Sequence, residues 1–493
     1  MPLAGLKYKK LIGKLQTENY FQTPADVIVF RKGNLAVAVK GDTKETIASS
    51  TDHAETIQAA IDHLEKGKII IHNGEYQLSS GINITKGHVI IEGVSKGSVT
   101  LKAVASISRV ISIDKPDHSA IGDIILKNLV IYGYNKTGTG IYTRNLWYSV
   151  FEDLEIAYCN HGIETYADSA NERGGHVTVS RVHSHLNAGD GLHLYRVNSW
   201  YLEHVVASNN KGNGIYAIWV QSLKGTHVFT STNEQNGVRL DNCQVIDIVG
   251  LEASANTLYG VYIRGGGGAT YDVRLTSIYI EASGYHGIRI EASDGDIKGI
   301  RLIAPEIVKN NRVGVYIIGD GYTVEDVKII GGRIVNNSQA GDGQYAGVYI
   351  DGVNGGKSRS IFIYGTTIGN VPELGNMYQK GIQAVNDSDY IHIIGCPFKN
   401  AKTPLISLVG VNNVVKNNEG YATENSGTAT ISAGSTSVTV EHGLASTPSK
   451  VIVTPIGDPG DRWWVANVGS SSFEIHVATA PSADIKFYWT AEV

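Results

Sequence analysis

The sequence predicts an all-β protein built mainly as a parallel solenoid, with a helix capping its N-terminal end and a small antiparallel β-sandwich at its C-terminal end. Three observations support this: a glycine-centred repeat, strict inward and outward alternation after each glycine, and a change of pattern near residue 425. The 493 residues include 57 glycines and 26 tyrosines but only 2 methionines. Such a composition is typical of turn-rich β structure.

Residues 1–44 form an N-terminal segment in this prediction. Its first stretch, "MPLAGLKYKKLIGKLQ", is basic but lacks the continuous apolar run of a secretory signal. No window of the chain approaches a membrane span. We therefore expect no membrane insertion, and a protein that leaves its cell either after loss of a signal or by another route, such as inside a virus particle.

The segment "TDHAETIQAAIDHLEKG" predicts the capping helix, which a solenoid needs because its open end exposes strand edges and apolar core. Asp52 and Glu55 have the spacing of a capping box. We expect the helix to end at Gly67. Apolar positions follow at helical spacing: Ile57, Ala60, Ile61 and Leu64.

The solenoid is placed at residues 45–425 on the basis of a repeat. Ten glycines precede an apolar-polar-apolar triplet: Gly140, Gly162, Gly191, Gly214, Gly237, Gly260, Gly287, Gly314, Gly347 and Gly381. Three successive spacings between them are 23 residues. A unit of this length with short strands and turn residues predicts coils that bury their inner face by stacking on their neighbours.

Two columns of the repeat are predicted to be structural. The residue after each glycine is Ile, Val or Leu throughout, and period-two alternation turns it inward. Four residues before the glycine stands an asparagine in several coils: Asn187, Asn210, Asn233, Asn256 and Asn310. We expect these asparagines to hydrogen-bond from coil to coil at turns whose left-handed backbone asparagine tolerates.

The residues between the inward ones are predicted to form one outward face. Aromatic and ionisable side chains dominate it, and neighbouring coils lie about 4.8 Å apart. Aromatic rings can stack on pyranose rings, and arginine can bind a carboxylate or sulfate with two hydrogen bonds. The expected substrate-binding residues are Tyr166, Tyr195, Tyr216, Arg239, Tyr262, Arg264, Arg289 and Tyr316. The alternative is a purely structural ladder of tyrosines and alternating charges.

Asp241 and Glu291 are the first catalytic candidates. They lie in one column two coils apart, with Arg264 between them. Their backbones are then roughly 9 to 10 Å apart, near the upper end of the separation used in inverting glycoside hydrolysis. Arg264 either steadies one carboxylate as a base or neutralises both.

His193 and Glu164 are the second catalytic candidates. They belong to a polar cluster that also holds Tyr166, Asp168, Asp190 and Tyr195, beside the insertion "YADSANERGG". A histidine and a tyrosine can serve β-elimination of a uronic-acid chain, one of them as the base and the other as the acid, with Arg239 neutralising the sugar carboxylate. The alternative is a merely solvated surface histidine.

Charge and cysteine content exclude several other functions. The net charge is −5, which offers no basic surface to nucleic acid. Cys159, Cys243 and Cys396 have no metal-ligand spacing and are interpreted as small buried hydrophobes. We predict no metal site and no cofactor, because acidic residues do not concentrate on one pair of adjacent coils as a calcium cluster requires. A structural or catalytic calcium ion stays open as an alternative.

Residues 426–493 are predicted to form a separate module. A Ser, Thr and Gly-rich junction precedes runs such as "SKVIVTPIG", "SSFEIHVAT" and "IKFYWTAEV", which no longer follow the coil period. They indicate five or six antiparallel strands in a small sandwich of 68 residues.

The coil pattern of residues 45 to 420 resembles the right-handed parallel β-helix of the pectin-lyase-like superfamily. It is also similar in register to the β-helix module of alginate epimerases, but the Asp-Pro-His-Glu signature is missing where "IETYADSANE" stands. The tail, with "HGLASTPSKVIVTP" and "WWVANV", resembles lectin-like modules at the ends of viral tail fibres. Such modules bind glycans or join subunits into trimers.

These resemblances imply a tailspike, a tail fibre or an extracellular polysaccharide-processing enzyme, located outside the cell or on a virion surface. We expect the chain to bind an extended or cell-surface glycan and to cleave it as a hydrolase or lyase, as a homotrimer in the viral case. The alternatives are a non-catalytic adhesin and a structural surface component.

Overall fold

The computed structural model describes residues 25–134, 138–169, 172–375, 377–460 and 462–493. It confirms the predicted fold class: a right-handed parallel β-helix with an N-terminal helix, followed by small antiparallel sheets. The chain divides into two compact units, one ending at Ile300 and the other beginning at Arg301. The basic start of the N-terminal segment lies outside the described residues.

The first unit begins with antiparallel strands at Val27–Lys32, Leu35–Lys40 and Thr46–Ser50. The strand Val27–Lys32 also pairs in parallel with Gly67–Ile71, a strand of the β-helix. These strands thus pass directly into the coil stack. The first strand buries alternate residues, Val27 and Val29, as expected for a strand with one face in the core, whereas the second buries four consecutive residues.

The predicted helix, α1, spans His53–His63 and buries Ile57, Ala60 and Ile61. Asp52 caps it, since its carboxylate accepts from the Ala54 N–H at 3.1 Å. The reciprocal half of the capping box is absent among the described contacts, because Glu55 accepts from the Ser50 hydroxyl instead. The helix ends at His63 rather than Gly67. None of the helices in the described residues has the length and apolarity to cross a membrane.

Nine parallel strands of the first unit form what we call the front sheet: Ile82–Ile84, Arg109–Ile113, Thr139–Arg144, Ile163–Tyr166, Leu192–Tyr195, Ile215–Ile218, Val238–Asp241, Val261–Gly266 and Ile288–Asp294. Their pairing confirms the repeat alignment. Leu192 pairs with Ile215, which pairs with Val238 on the next coil. These inward residues are fully buried.

The glycine column exists because neighbouring coils approach each other closely where each front strand begins. A Cβ added at Gly214 would lie 2.7 Å from the carbonyl oxygen of Gly237, and one at Gly237 would lie 2.6 Å from that of Gly260. Both distances are shorter than a normal contact, so any side chain would force the coils apart. The repeat therefore requires glycine for space.

The asparagine ladder is confirmed. Asn187 Nδ2 donates to Asn210 Oδ1 at 2.9 Å, and Asn210 donates to Asn233 at 3.0 Å. The expectation about the left-handed backbone is wrong by one position, however. The positive φ belongs to the preceding residue, for example 55° at Asn209 and 51° at Thr232. The ladder residues themselves turn their amides into the core, where the bonds between coils are made.

The other coil strands of the first unit pair along further ladders of the helix. They are Gly67–Ile71, Gly74–Leu78, Val89–Gly93, Val99–Ala103, Ile121–Gly122, Ile125–Lys127, Val130–Tyr132, Leu146–Trp147, Val150–Glu152, Glu155–Ala157, Gly175–Ser180, His183–His185, Asn198–Glu203, Val206–Ser208, Leu223–Ser231, Gln244–Ser254, Thr270–Thr276 and Tyr279–Glu281. A further strand, Ile297–Ile303, contains the boundary between the units.

The second unit contains its own parallel coils. One ladder consists of Val315–Asp320, Ala346–Val353, Lys380–Ala384 and Lys402–Ser407. The remaining coil strands are Glu306–Val308, Thr323–Ile330, Arg333–Val335, Lys357–Tyr364, Thr367–Gly369, Ser388–Ile394, Phe398–Lys399 and Val414–Lys416, with a short 3₁₀ helix at Pro372–Leu374. Asn310 continues the ladder pattern by donating to Asn337 at 2.8 Å.

The C-terminal part of the second unit has six antiparallel strands in two three-stranded sheets. One sheet contains Glu424–Ile431, Lys450–Ile456 and Ile485–Glu492, and the other contains Ser437–Glu441, Trp463–Ala466 and Ser472–Val477. Phe473, Phe487 and Trp489 are buried in the shared core. Trp463 and Trp464 are exposed.

All three cysteines are free and buried. Burial raises the pKa of the Cys159 and Cys243 thiols to about 12. They therefore stay protonated and pack as small apolar side chains, as the sequence indicated.

Candidate functional site

The predicted outward column lies in register on the front sheet. Glu164 pairs with His193, His193 with Tyr216, and Tyr216 with Arg239. The same column continues to Tyr262 and Arg289. Residues more than a hundred positions apart in sequence therefore share one face.

Asp241 lies on this face but is covered by its neighbours. Arg239 donates to it from Nη2 at 2.8 Å, and the Tyr216 hydroxyl donates at 3.0 Å. Its residue exposure is only 4%. The expectation that Asp241 faces solvent is therefore wrong, because an arginine two residues earlier and a tyrosine one coil earlier close over the carboxylate.

Glu291 repeats the same arrangement two coils further on. Its carboxylate accepts from Arg289 Nε at 2.7 Å and from the Tyr262 hydroxyl at 2.5 Å. The intervening Arg264, which the sequence placed between the two carboxylates, donates from Nε to the Ser293 hydroxyl at 3.1 Å. In the described contacts each carboxylate is thus neutralised by its own arginine, not by Arg264.

His193 is held by a buried carboxylate. Its Nδ1 lies 2.7 Å from Asp190 Oδ2, and Asp190 is 5% exposed. Because an ionised carboxylate only accepts, Nδ1 carries the proton and Nε2 is left as the basic nitrogen of the ring. The His193 side chain keeps 23% of its surface exposed. The arrangement presents a proton acceptor on the outer face.

Asp190 is positioned by a second ladder that our sequence analysis missed. Its Oδ1 accepts from the Asn213 backbone N–H at 2.6 Å and from Asn213 Nδ2 at 2.8 Å. Asn213 in turn accepts from Asn236 Nδ2 at 2.8 Å. The signal was present, since Asp190, Asn213 and Asn236 each stand immediately before a glycine of the repeat.

His161 completes this group and was also missed. Its Nδ1 accepts from the Asp190 backbone N–H at 3.0 Å, and its ring centroid lies 4.8 Å from that of His193. Burial lowers the pKa of His161, an effect that Asp190 partly opposes. Burial raises the pKa of Asp190, but the hydrogen bond and charge of His193, the Asn213 backbone N–H and the charge of His161 together outweigh it and leave that pKa lowered.

The His161, Asp190 and His193 group has ligating atoms within 4.8 Å of one another. The sequence predicted no metal site. In the structure the Nδ1 atom of each histidine is already hydrogen-bonded to Asp190. The geometry therefore matches a proton-transfer group, in which the carboxylate fixes the tautomer of the base.

Tyr166 and Tyr195 form the aromatic edge of this region. Their rings stack at 5.7 Å between centroids, with 17° between planes. Nearby, the buried Arg144 binds both Asp168 and Glu172. Residues 170–171 of the insertion lie outside the described part of the chain.

Glu164 and Tyr316 occupy different surroundings. Glu164 accepts from the Thr139 hydroxyl and stands beside His193 in the column. Tyr316 belongs to the second unit, where its ring contacts that of Tyr349 edge-on at 5.4 Å. The first unit thus brings together all the candidate residues except Tyr316.

No protein-family model matches the sequence, and no curated protein matches it. The fold, in contrast, has solved counterparts. The A-module of mannuronan C-5 epimerase AlgE6 from Azotobacter vinelandii is similar with a TM-score of 0.50, at 17% identity over 75% of this chain and 95% of that chain.

Two bacteriophage proteins are similar as well. The pre-mature gene product 12 of bacteriophage phi29 has a TM-score of 0.57, at 11% identity over 85% of this chain and 58% of that chain. The gp54 tailspike of Acinetobacter baumannii bacteriophage AP22, solved with a capsular saccharide, has a TM-score of 0.51, at 10% identity over 90% and 94%. At these identities the likeness concerns the fold alone, and the chain has the parallel β-helix fold.

Proposed function

We propose that this chain binds an extended polysaccharide along the outer face of the front sheet and cleaves it with His193 as the base. The observation that carries the proposal is the 2.7 Å contact between His193 Nδ1 and the buried Asp190 carboxylate. A carboxylate in this position fixes the tautomer and stabilises the imidazolium that forms when Nε2 takes a proton.

The column around His193 supports a glycan ligand. Tyr216 meets the His193 ring edge-on at 5.3 Å, and the guanidinium of Arg239 lies 4.7 Å from the centre of the Tyr216 ring. Tyr166 and Tyr195 stack beside them. Rigid aromatic rings with polar tips can stack on sugar rings and bind hydroxyls along a repeating chain. A saccharide is also the ligand of the AP22 tailspike, which has the same fold.

The proposed reaction is β-elimination at a uronic acid. His193 Nε2 takes the C5 hydrogen as a proton, the electron pair forms the C4–C5 double bond, and the C4–O bond breaks. Tyr195, two residues along the same strand, gives its hydroxyl proton to the leaving oxygen. The products are an unsaturated uronate and a shortened chain, with no other reactant required.

Hydrolysis by Asp241 and Glu291 receives less support. Each carboxylate is bound by an arginine and a tyrosine, so a water molecule and a sugar would have to displace these partners. Glu164 remains a candidate catalytic residue, because it is the ionisable neighbour of His193 on the adjacent strand.

The test uses a panel of acidic and neutral polysaccharides, with reducing ends and unsaturated-uronate absorbance followed together. We expect H193Q to abolish the absorbance, whereas the matched carboxylate variants D241N and E291Q retain it. If D241N or E291Q stops releasing reducing ends while H193Q still releases them, hydrolysis by the carboxylate pair is established instead.

The second candidate function is an adhesin that binds a glycan without cleaving it. It is favoured by the pairing of Arg239 and Arg289 with carboxylates of the same chain. Binding of a glycan with neither signal would establish it.

Three further statements are part of the proposal. First, the chain acts outside a cell or on a virion surface. Second, residues 45–425 form the β-helix and residues 426–493 form a glycan-binding or trimerisation module. Third, the protein is a homotrimer. Light scattering of the full chain, and of a chain ending at residue 425, tests the last two statements together.

A further inference from the structure

The C-terminal part of the chain exposes two neighbouring tryptophans. Trp463 and Trp464 are 43% and 45% exposed, and among the six tryptophans of the chain these two are the exposed ones. Both belong to the strand Trp463–Ala466, which lies at the edge of its sheet, because among the described strands only Ser472–Val477 pairs with it. Large aromatic side chains are usually well buried, so a pair of them on one edge strand indicates a surface that binds something.

The two tryptophans lie on opposite faces of the sheet. Trp463 pairs with Val477, which is buried in the core of the module, and Trp464 pairs with His476. Because side chains alternate along a strand, Trp463 belongs to the inner face and Trp464 to the outer face. Glu474, two residues before His476 on the same strand, shares the outer face with Trp464. The outer face therefore combines an exposed indole with an ionisable group.

Trp464 is held in one orientation by a series of side-chain contacts. Its ring stacks on that of His476, with 5.5 Å between centroids and 14° between planes. His476 Nε2 donates to Glu474 Oε2 at 2.7 Å, and Asn467 Nδ2 donates to the same oxygen at 2.8 Å. The indole and the carboxylate are thus positioned before a ligand arrives. Such preorganisation lowers the entropic cost of binding.

Glu474 supplies a negatively charged hydrogen-bond acceptor beside this indole. The hydrogen bond from His476, and then that from Asn467, lower the pKa of Glu474, so its carboxylate is ionised near neutral pH. In the described contacts both donors use Oε2, and Oε1 can accept a hydrogen bond from a ligand. An ionised carboxylate accepts hydroxyl protons and repels other anions. The ligand next to Trp464 therefore carries hydroxyl groups and no negative charge.

The surroundings of Trp464 favour a sugar over a second protein subunit. The third strand of the sheet adds exposed hydroxyl side chains to the same outer face, those of Ser437 and Thr439. The other C-terminal sheet exposes Ile452 at 48% and Tyr488 at 61% instead. The centre of a subunit interface is apolar and poor in charged residues. That second sheet is therefore better suited to a subunit contact, and the Trp464 face to a polar ligand with one apolar side.

We propose that Trp464 and Glu474 form a binding site for an uncharged sugar ring. The C–H face of a pyranose packs on the exposed indole, and a sugar hydroxyl donates to Glu474 Oε1. The inference rests on the proposed function and adds to the substrate class: the polysaccharide contains a neutral hexose besides the uronic acid that is cleaved. A module that binds the same polymer keeps it at a high effective concentration near the β-helix.

The test measures binding by calorimetry with the full chain. The probes are three neutral polymers, namely dextran, galactan and mannan. Wild type is expected to bind at least one of them, and W464A and E474A to weaken that binding at least about tenfold. W463A is the matched control, because Trp463 is equally exposed on the same strand but belongs to the other face. It should keep the affinity within about twofold.

W464F covers the case in which W464A fails to fold, since it keeps a flat ring of smaller area and should bind with intermediate affinity. Equal affinities in wild type, W464A and W463A overturn the proposal, and so does failure of wild type to bind any of the three polymers. If W464A binds them normally but light scattering shows a smaller particle, Trp464 belongs to a subunit contact and the proposal is also overturned.

The proposed catalytic function fails separately from this site. H193Q should bind the neutral polymer as wild type does and lose only cleavage, whereas W464A should release unsaturated uronate at the wild-type rate from a saturating acidic polymer. If no variant and no wild-type sample releases uronate, while W464A alone loses the neutral polymer and W463A keeps it, the lyase function is refuted and the sugar site is supported.

Discussion

One carboxylate, that of Asp190, connects the scaffold to His193. Its Oδ2 lies 2.7 Å from His193 Nδ1, while its Oδ1 holds the side chain and backbone of Asn213. The second ladder, formed by Asp190, Asn213 and Asn236, links neighbouring coils and also fixes the orientation of the His193 imidazole. A rigid support of this kind is what a catalytic base requires, because small misplacements of the reacting groups are costly.

Replacing Asp190 by asparagine should remove activity while keeping the fold. In D190N the amide oxygen still accepts from Asn213, but the amide nitrogen faces His193 and favours the tautomer with the proton on Nε2. We expect kcat to fall about 100- to 10,000-fold. The measurement is unsaturated-uronate release, with glycan affinity as the control. An unchanged kcat would show that Asp190 does not orient the base.

Cutting the asparagine ladder should destabilise the whole first unit. In N210A the backbone N–H of Asn187 loses its acceptor inside the core, and Asn233 Oδ1 keeps only the backbone N–H of residue 210 as a donor. We expect a loss of about 2–4 kcal/mol in the free energy of unfolding, measured as a lower urea midpoint. K211A, at an exposed neighbouring position, is the matched control and should change stability by less than about 0.5 kcal/mol. Similar midpoints for both variants would refute the structural role.

The ion pair of Arg239 and Asp241 should matter far more than one on the exposed surface. In R239A the Asp241 carboxylate, 6% exposed as a side chain, stays buried without its cation. We expect a loss of about 3–5 kcal/mol for R239A and about 0–0.5 kcal/mol for R274A. Urea denaturation compares them. The double variant R239A/D241A should recover part of the stability, and the absence of any recovery would contradict the pairing.

Stability should decline in mild acid because of His161. Burial lowers its pKa in the folded chain below the ordinary value of 6.5, so the unfolded chain binds the proton more readily. Its contribution to the free energy of unfolding is therefore complete above about pH 6.5 and is lost as the pH falls from there through the folded pKa. H161Q, whose amide oxygen can still accept from the Asp190 N–H, should show a flatter pH profile. Identical slopes for H161Q and wild type would exclude this origin.

Much of the fold could be predicted because a coil stack repeats a local pattern. Inward residues such as Ile215 and Val238 must be apolar, and Gly214 must lack a Cβ, in every regular coil. Asn210 recurs at the same spacing because its bond to the next coil recurs. Because each coil imposes the same requirement at the same position, the required residue types recur at a regular spacing in the sequence. The glycine and asparagine columns were recognisable for this reason.

The sequence by itself determined the register, and with it which side chains share the outer face. Only the tertiary structure decided what those side chains do there. Asp241 is closed off by Arg239, and Asp168 and Glu172 are bound by Arg144. The Asp190 carboxylate holds His193 from below. The physical reason is that each ion pair or hydrogen bond depends on the direction of the side chains and on which neighbours from adjacent coils compete for the same partner. The spacing of residues in the sequence contains no information on either.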